Sequence, residues 1–479
     1  MLDPVSENDN KAGATGKHDP YAALREPNYR FFASGWVLAS MGLQMQGMAL
    51  AWEVYDRSND PLMLGYVGVA RALPVLALAL PAGQLVDLLD RKKVLLWTQV
   101  AFACASVFLT LGSYYAVSVW WILALVSLTG CARVFNGPSR ASLLPEIVRP
   151  ERFHNAVTWN SGVFQLSATL GPLASGGMIW WYGKAWPVYA VAAAACMVFA
   201  LCVSQLRPYP GAVGHGRTFM GWGALRPSVM LDGMLDGARH MWREKTVLGT
   251  IALDLFAVLL GGATALLPVY AQDILHVGPI GLGALKAAPY VGALVMAVIL
   301  AHRPPFKRAG RVLLWSVAGF GLCTIVFGLS TSFLLSIAML FLAGALDGVS
   351  VVVRHVLVTV RTPERLRGRV SAVNSVFIES SNELGGFESG LVAKLTSPVF
   401  SVVSGGIGTV LVVIGMAWWL PELRRLGKLE APPEEWQPDL TQCVHCSYDL
   451  AGLPIDAMCP ECGNPRPVVV APGNISSGK

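Results

Sequence analysis

Across 479 residues the chain is 54% hydrophobic and only 14% charged, with a mean hydropathy of +0.52 and a formal net charge of +6. A soluble protein of this length carries about a quarter charged residues, so a water-soluble globular fold is excluded. No HExxH, nucleophile elbow or phosphate-binding loop occurs, which argues against an enzyme.

In chain order, residues 1–28 are polar and hold no apolar core ahead of a small-residue cleavage site, so they read as a cytoplasmic N-terminal tail and not as a signal peptide. Apolar runs near the ~20 residues needed to cross a bilayer follow at 32–53, 62–86, 94–116, 118–138, 156–181 and 186–206. Six more lie at 246–271, 279–301, 311–330, 333–359, 371–395 and 398–420. The pattern predicts an all-α membrane protein with a six-helix half over 29–208, a linker over 209–245, a second half over 246–426 and a cytoplasmic tail over 427–479. In the linker, Leu231, Met234, Leu235 and Ala238 share one face of a predicted amphipathic helix. Basic residues collect in alternate connections: Arg91, Lys92 and Lys93; Arg149 and Arg152; Arg239, Arg243 and Lys245; Arg303, Lys307, Arg308 and Arg311; Arg361, Arg365, Arg367 and Arg369; Arg424 and Arg425. This bias places both termini in the cytoplasm and accounts for the positive charge without a nucleic-acid partner.

The halves repeat. "RPERFHNAVTWNSGVFQLSATLGPLASGG" from Arg149 and "TPERLRGRVSAVNSVFIESSNELGGFESG" from Thr362 share PER, NS, VF, LG and SG in order, with Asn160 and Asn374 standing 214 positions apart. A weaker echo pairs "KKVLLW" at Lys92 with "GRVLLW" at Gly310. Two parallel six-helix repeats are the expected organisation.

These residues resemble the major facilitator superfamily of secondary transporters. "GQLVDLLDRKKVLL" (Gly83 to Leu96) is similar to its signature loop: Gly83, Asp87, Arg91 and Lys92 match, whereas Leu88 replaces a usual basic residue and Asp90 a usual glycine. The resemblance implies a conformational latch at these four positions; their spacing alone is equally that of a basic turn. "AWEVYDRSNDPLMLGYVGVARALPVLALALPAG", "FNGPSRASLLPEIV" and "RGRVSAVNSVFIESSNELGGFESG" resemble the branch of enterobactin, siderophore and drug exporters, from about Glu26 to Arg425.

Ionisable groups inside a membrane mark ion or substrate pathways by default. Away from the predicted ends these are Arg71, Arg133, Asp254, Lys286, Asp347, Arg354, Glu379 and Glu383. Glu379 and Glu383 are four positions apart and project from one face of span eleven, roughly 12 to 15 Å inside its cytoplasmic end for Glu379. Asp347 and Arg354 share a face of span ten, whereas Glu388 turns away toward the outer end. At the repeat offset the three glutamates correspond to Gln165, Thr169 and Ala174, so the scaffold does not require them. Asp254, Asp347, Glu379 and Glu383, with Arg354, are the expected proton-coupling network; a neutralised structural network is the alternative. Gln44, Gln46, Arg133, Asn160, Gln165 and Asn382, with the aromatics Trp52 and Trp159, are weaker candidates for the substrate cavity, since single polar groups also serve as helix-to-helix hydrogen bonds.

In the tail, Cys443-x-x-Cys446 and Cys459-x-x-Cys462 are separated by twelve residues, which resembles a zinc ribbon over 443–462 with four thiolates on one structural zinc; a redox dithiol pair is the alternative, against which stand a reducing cytoplasm and the lack of a thioredoxin-like pattern. Four cysteine ligands leave no open position for catalysis, and the ribbon could bind a cytoplasmic protein partner. The chain is therefore expected to be a monomeric, inner-membrane transporter of a small molecule, siderophore-like or drug-like, exported in exchange for protons by alternating access. A lysophospholipid or other lipid carrier is one alternative; a non-transporting sensor or scaffold using the ribbon is another.

Overall fold

The computed structural model describes residues 19–207, 239, 241–242, 244–304, 306–362, 364–427 and 460. Twelve long helices run through it. The first half contains α1 (Pro27–Ser58), α2 (Pro61–Leu88), α3 (Arg91–Tyr114), α4 (Val119–Ile147), α5 (Phe153–Tyr182) and α6 (Trp186–Gln205). The second contains α7 (Lys245–Leu260), α8 (Gly278–Ala301), α9 (Ala309–Leu329), α10 (Phe333–Arg361), α11 (Glu364–Leu395) and α12 (Pro398–Trp419), followed by the short α13 (Pro421–Arg425). The zinc-ribbon cysteines and the predicted linker helix fall outside the described residues.

The turns explain why the helices stop where they do. Asn59 ends α1 in the left-handed conformation, φ 50°, and Asp60 then caps α2 by accepting a hydrogen bond from the Leu62 N–H at 3.0 Å, ahead of Pro61. Asp90 caps α3 through Lys93, and Ser397 caps α12 ahead of Pro398 through Phe400. The predicted seventh span is not one continuous helix. It breaks after Leu260 at Gly261–Gly262 and resumes as a 3-10 turn (Ala263–Leu266), one α turn (Leu267–Val269) and a π turn (Tyr270–Ile274). An added Cβ at Gly262 would lie 2.5 Å from the Gly385 carbonyl oxygen, so the break lets this segment close on α11. Tyr270 fastens the continuation by donating its hydroxyl to the Gly328 carbonyl, 2.9 Å.

Among the described residues nine segments, with the broken Lys245–Ile274 counted as one, are long and apolar enough to cross a membrane; α1, α5 and α11 are the long helices that fall short. Those three carry most of the polar candidates, and a polar stripe at membrane depth must face protein or a water-filled cavity. Packing follows the repeat. In the first half α1 meets α5 and α6, α2 meets α4, and α3 meets α4 and α6; each pair has its counterpart among α7 to α12. Between the halves α2 lies along α11 and α5 along α8. Exposed aromatics mark both ends, with Trp120, Trp121, Trp180, Trp181 and Tyr182 at one and Trp97, Trp315, Trp418 and Trp419 at the other, as in membrane-interface belts. Trp97 and Trp315 close the two echoing VLLW segments.

The halves touch closely at the end away from the basic loops. An added Cβ on Gly176 would sit 2.4 Å from the Pro279 carbonyl, on Gly390 2.8 Å from that of Pro61, and on Gly68 2.6 Å from that of Glu383. Toward the basic end no described glycine makes such a close approach across the halves, and a Cβ on Gly162 or Gly368 would meet nothing within 4 Å. A cavity of about 360 Å³ opens there between α2, α7 and α11, lined by Leu76, Leu255, Leu259, Phe377 and Leu384 among others.

Candidate functional site

Where contact between the halves ends, charge begins. Glu383 lies at the last close approach of α2 and α11, with its Oε2 3.6 Å from a Cβ built on Gly68. Three cations act on it electrostatically: Arg71 of α2, Arg133 of α4 and Lys286 of α8, together with Glu379 one turn along its own helix. Arg71 approaches α1, with Nη2 3.8 Å from a Cβ built on Gly47. Arg133 and Glu379 are exposed, while Arg71, Lys286 and Glu383 are partly buried. None of the three cations forms an ion pair within 4.0 Å among the described residues.

The second charged group belongs to the C-terminal half alone. Arg354 of α10 pairs directly with Asp254 of α7, both buried. Asp347, two turns along α10 from Arg354, feels both of them. Tyr290 of α8 lies within electrostatic reach of Arg133 and of Asp347. Buried charges are tolerated only when paired or further hydrogen-bonded. The Asp254–Arg354 pair meets that condition, whereas the three cations around Glu383 share a limited supply of carboxylate. Glu388 stands apart from both groups, 3.5 Å from the Ser389 hydroxyl.

The weaker cavity candidates separate. Gln165 reaches across the halves, donating its amide to the Tyr290 carbonyl at 2.6 Å. Gln44 packs its Cβ 2.7 Å from a Cβ built on Gly171. Gln46 is buried inside the first half, where its Oε1 accepts a hydrogen bond from Ser106 at 2.7 Å, so it bonds helix to helix instead of facing a cavity. Asn382 is exposed and donates to the Ile378 carbonyl of its own helix, 2.8 Å. The Asn160 Oδ1 is buried without a hydrogen-bond partner. Trp159 donates its indole N–H to the Pro20 carbonyl at 2.9 Å and lies against Tyr21, which removes it from the cavity. It does so because Asp19–Glu26 folds onto α5: the buried Glu26 accepts from Arg152 at 2.6 Å, and Asn155 bonds both Ala23 and Pro20.

At the basic end, Gly83 and Asp87 lie near the end of α2. Arg91 pairs with Glu146 of α4 at 2.6 Å, and Lys92 donates to the Ser204 and Leu206 carbonyls at 2.7 and 2.8 Å, where α6 ends. Both bind partners within the first half, which makes this half one body. At the opposite end the halves are tied by Lys394 to Asp60, 2.8 Å, and by the Tyr55 hydroxyl to Asp273. The sequence reading missed these ties and placed Arg71 and Lys286 in no site. Intramembrane basic residues were the available signal for Arg71 and Lys286; nothing local marks Asp60 or Lys394.

Two pseudo-repeated six-helix bundles, closed at one end and parted at the other around an ionisable core, define a secondary transporter of the major facilitator type. A solved nucleoside transporter shares the fold at a TM-score of 0.64 and 13% identity, over 82% of this chain and 100% of that one. A solved peptide transporter does so at 0.63 and 14%, over 84% and 95%. The chain matches the transmembrane secretion effector family over residues 18–444 and belongs to it. The enterobactin exporter of Citrobacter koseri is 23% identical over 412 residues, covering 85% of this chain and 95% of its own. That of Escherichia coli O1:K1 is 22% identical over 415 residues, at the same coverages.

Proposed function

We propose that this transporter exports a small, siderophore-like or drug-like molecule from the cytoplasm, using the proton gradient and alternating access of its two halves. The observation that carries this reading is the position of the ionisable core. Glu379 and Glu383 of the second half and Arg71 and Arg133 of the first act on one another electrostatically beside the last tight contact of α2 with α11, on the way to the basic end, which the positive-inside bias assigns to the cytoplasm. A molecule entering from that side arrives at the charged group that both halves share. Rocking the halves about this point would expose it to the other side.

Export is supported by two further features. The family is one of secretion effectors, and the relatives above are exporters. Glu379 and Glu383, with Asp254 and Asp347, are the groups able to take up and release a proton; the guanidinium of Arg354 holds Asp254 when it is ionised. The test is proton movement in proteoliposomes across a panel of catecholate siderophores and drug-like dyes. Glu383→Gln should abolish substrate-dependent proton flux and Glu379→Gln should reduce it. Undiminished flux in both variants removes the pair from coupling.

A further inference from the structure

The repeat sets the two halves against each other residue by residue. Glu26 stands just before α1 and Glu244 just before α7, 218 positions apart. Each pairs with an arginine where the fourth helix of its half ends, Glu26 with Arg149 at 3.4 Å and Glu244 with Arg361 at 3.7 Å. The same 218 positions separate the echoing segments at Lys92 and Gly310. Carried inward along the first helices, this offset matches Trp36 of α1 to Asp254 of α7. The offset of 214 that relates Asn160 to Asn374 matches Arg140 of α4 to Arg354 of α10. Both matched pairs are in contact. In the second half the Arg354 guanidinium meets the Asp254 carboxylate. In the first, the Arg140 Cζ lies 3.8 Å from the centroid of the Trp36 ring. Each half thus places an arginine alike, over a carboxylate in one and over an aromatic face in the other.

An indole face attracts a cation but supplies no acceptor for its N–H groups. Arg140 has no ion pair within 4.0 Å among the described residues, and Glu146 of its own helix is taken by Arg91. The Arg140 Nε is enclosed without an acceptor, and so is the Nε1 of Trp36, a residue only 6% exposed. The stacked pair therefore carries one positive charge and two idle donors, and lacks the acceptor that Asp254 supplies at the matching place. The rest of the guanidinium is open, since Arg140 is half-buried with Nε alone of its nitrogens enclosed. Counted along their helices, Trp36 and Arg140 lie about 10–14 Å in from the basic end. Unpaired charge at such depth is costly until an opposite charge arrives. Resting on the transporter reading above, we propose that Arg140, held flat on Trp36, binds a carboxylate of the transported molecule on its way in from the cytoplasm, so that the substrate is an organic acid. The ligand's carboxylate fills the place that Asp254 fills in the second half. The guanidinium edge offers it two parallel donors, in a plane that stacking on Trp36 fixes. A free anion from solution shares this chemistry, and the experiment separates the two.

The test uses the full chain purified in detergent, with radiolabelled 2-naphthoate as probe and 2-naphthamide, its neutral isostere, as competitor. The carboxylate should bind at least about tenfold tighter than the amide, in line with a charge-assisted contact. Arg140→Gln should weaken the naphthoate about tenfold and leave the naphthamide unchanged, which also shows that the variant is folded. Trp36→Asp copies the second half by giving Arg140 a carboxylate of its own, and should exclude the naphthoate while sparing the naphthamide. The proposal is overturned if naphthoate and naphthamide bind alike to the wild type, if Arg140→Gln weakens both equally or neither, or if no probe binds saturably. Radiolabelled chloride retained by the wild type and lost in Arg140→Gln, without any preference for naphthoate, assigns the site to a solution anion and overturns the substrate role. Glu383→Gln in the flux assay separates the two readings: flux lost in that variant while naphthoate binding is indifferent to Arg140→Gln refutes the docking site alone.

Discussion

Lys394→Glu perturbs the tie that joins the outer ends of α2 and α11. In the wild type Lys394 Nζ lies 2.8 Å from Asp60 Oδ2, with the lysine side chain 49% and the aspartate 24% exposed. A pair this accessible is worth about 0.5–1 kcal/mol, and the substitution adds a like-charge repulsion of similar size. Together roughly 1–2 kcal/mol moves from the closed to the opened outer end, a factor of about 5–30 in their ratio. The second tie, Tyr55 to Asp273, remains, so the expected result is a shifted population and not a sprung gate. Pulsed electron resonance between spin labels on cysteines placed at the exposed Trp181 and Leu334 measures it, in a background lacking the native helix cysteines. The charge-keeping Lys394→Arg should retain the wild-type distance distribution. An unaltered distribution in Lys394→Glu, or a shift of the same size in Lys394→Arg, refutes the reasoning. The tie also has a defined pH range. Burial, the largest influence on Asp60, opposes its ionisation, but the hydrogen bond from Lys394, the Leu62 N–H and the lysine charge outweigh it and hold the carboxyl below its ordinary value. Its contribution to closure is therefore complete above the ordinary carboxyl range and fades as pH falls through the depressed value.

Gly176→Val places a side chain where even a Cβ would be 2.4 Å from the Pro279 carbonyl; it should wedge α5 from α8 and widen the same Trp181–Leu334 distance, and an unchanged distance would show that this crossing does not hold the outer end shut. Gln46→Leu removes the acceptor of the Ser106 hydrogen bond and should cost about 0.6 kcal/mol in thermal unfolding without altering substrate-dependent flux; a selective loss of flux would return Gln46 to the cavity. The cysteine spacing at 443–462 predicts about one zinc per full-length chain by elemental analysis, lost on replacing Cys459 and Cys462 by serine; zinc content indifferent to both would exclude the ribbon.

The sequence by itself determined the membrane class, the twelve spans and the repeat, because burial in lipid demands long apolar helices and leaves a composition that no other solvent tolerates. Helix limits were legible for a related reason: Asp60-Pro61 and Ser397-Pro398 cap helices locally. Glu379, Glu383, Asp254 and Arg354 were visible as costly charges at depth. Their partners were not. Asp347 and Arg354 share a helix face, yet the direct partner of Arg354 is Asp254, a hundred positions away; Arg71 and Glu383 influence each other electrostatically across the halves; and Gln46 and Trp159, polar groups like any other candidate in the sequence, are consumed by Ser106 and Pro20. Such pairings depend on which helices touch and on how far each is rotated, which spacing along one helix does not encode. The break in α7 follows the same logic, since a Gly-Gly pair permits a bend and only the approach of α11 requires it. Tertiary structure alone decided where the halves close, where they part, and which charges share the point between.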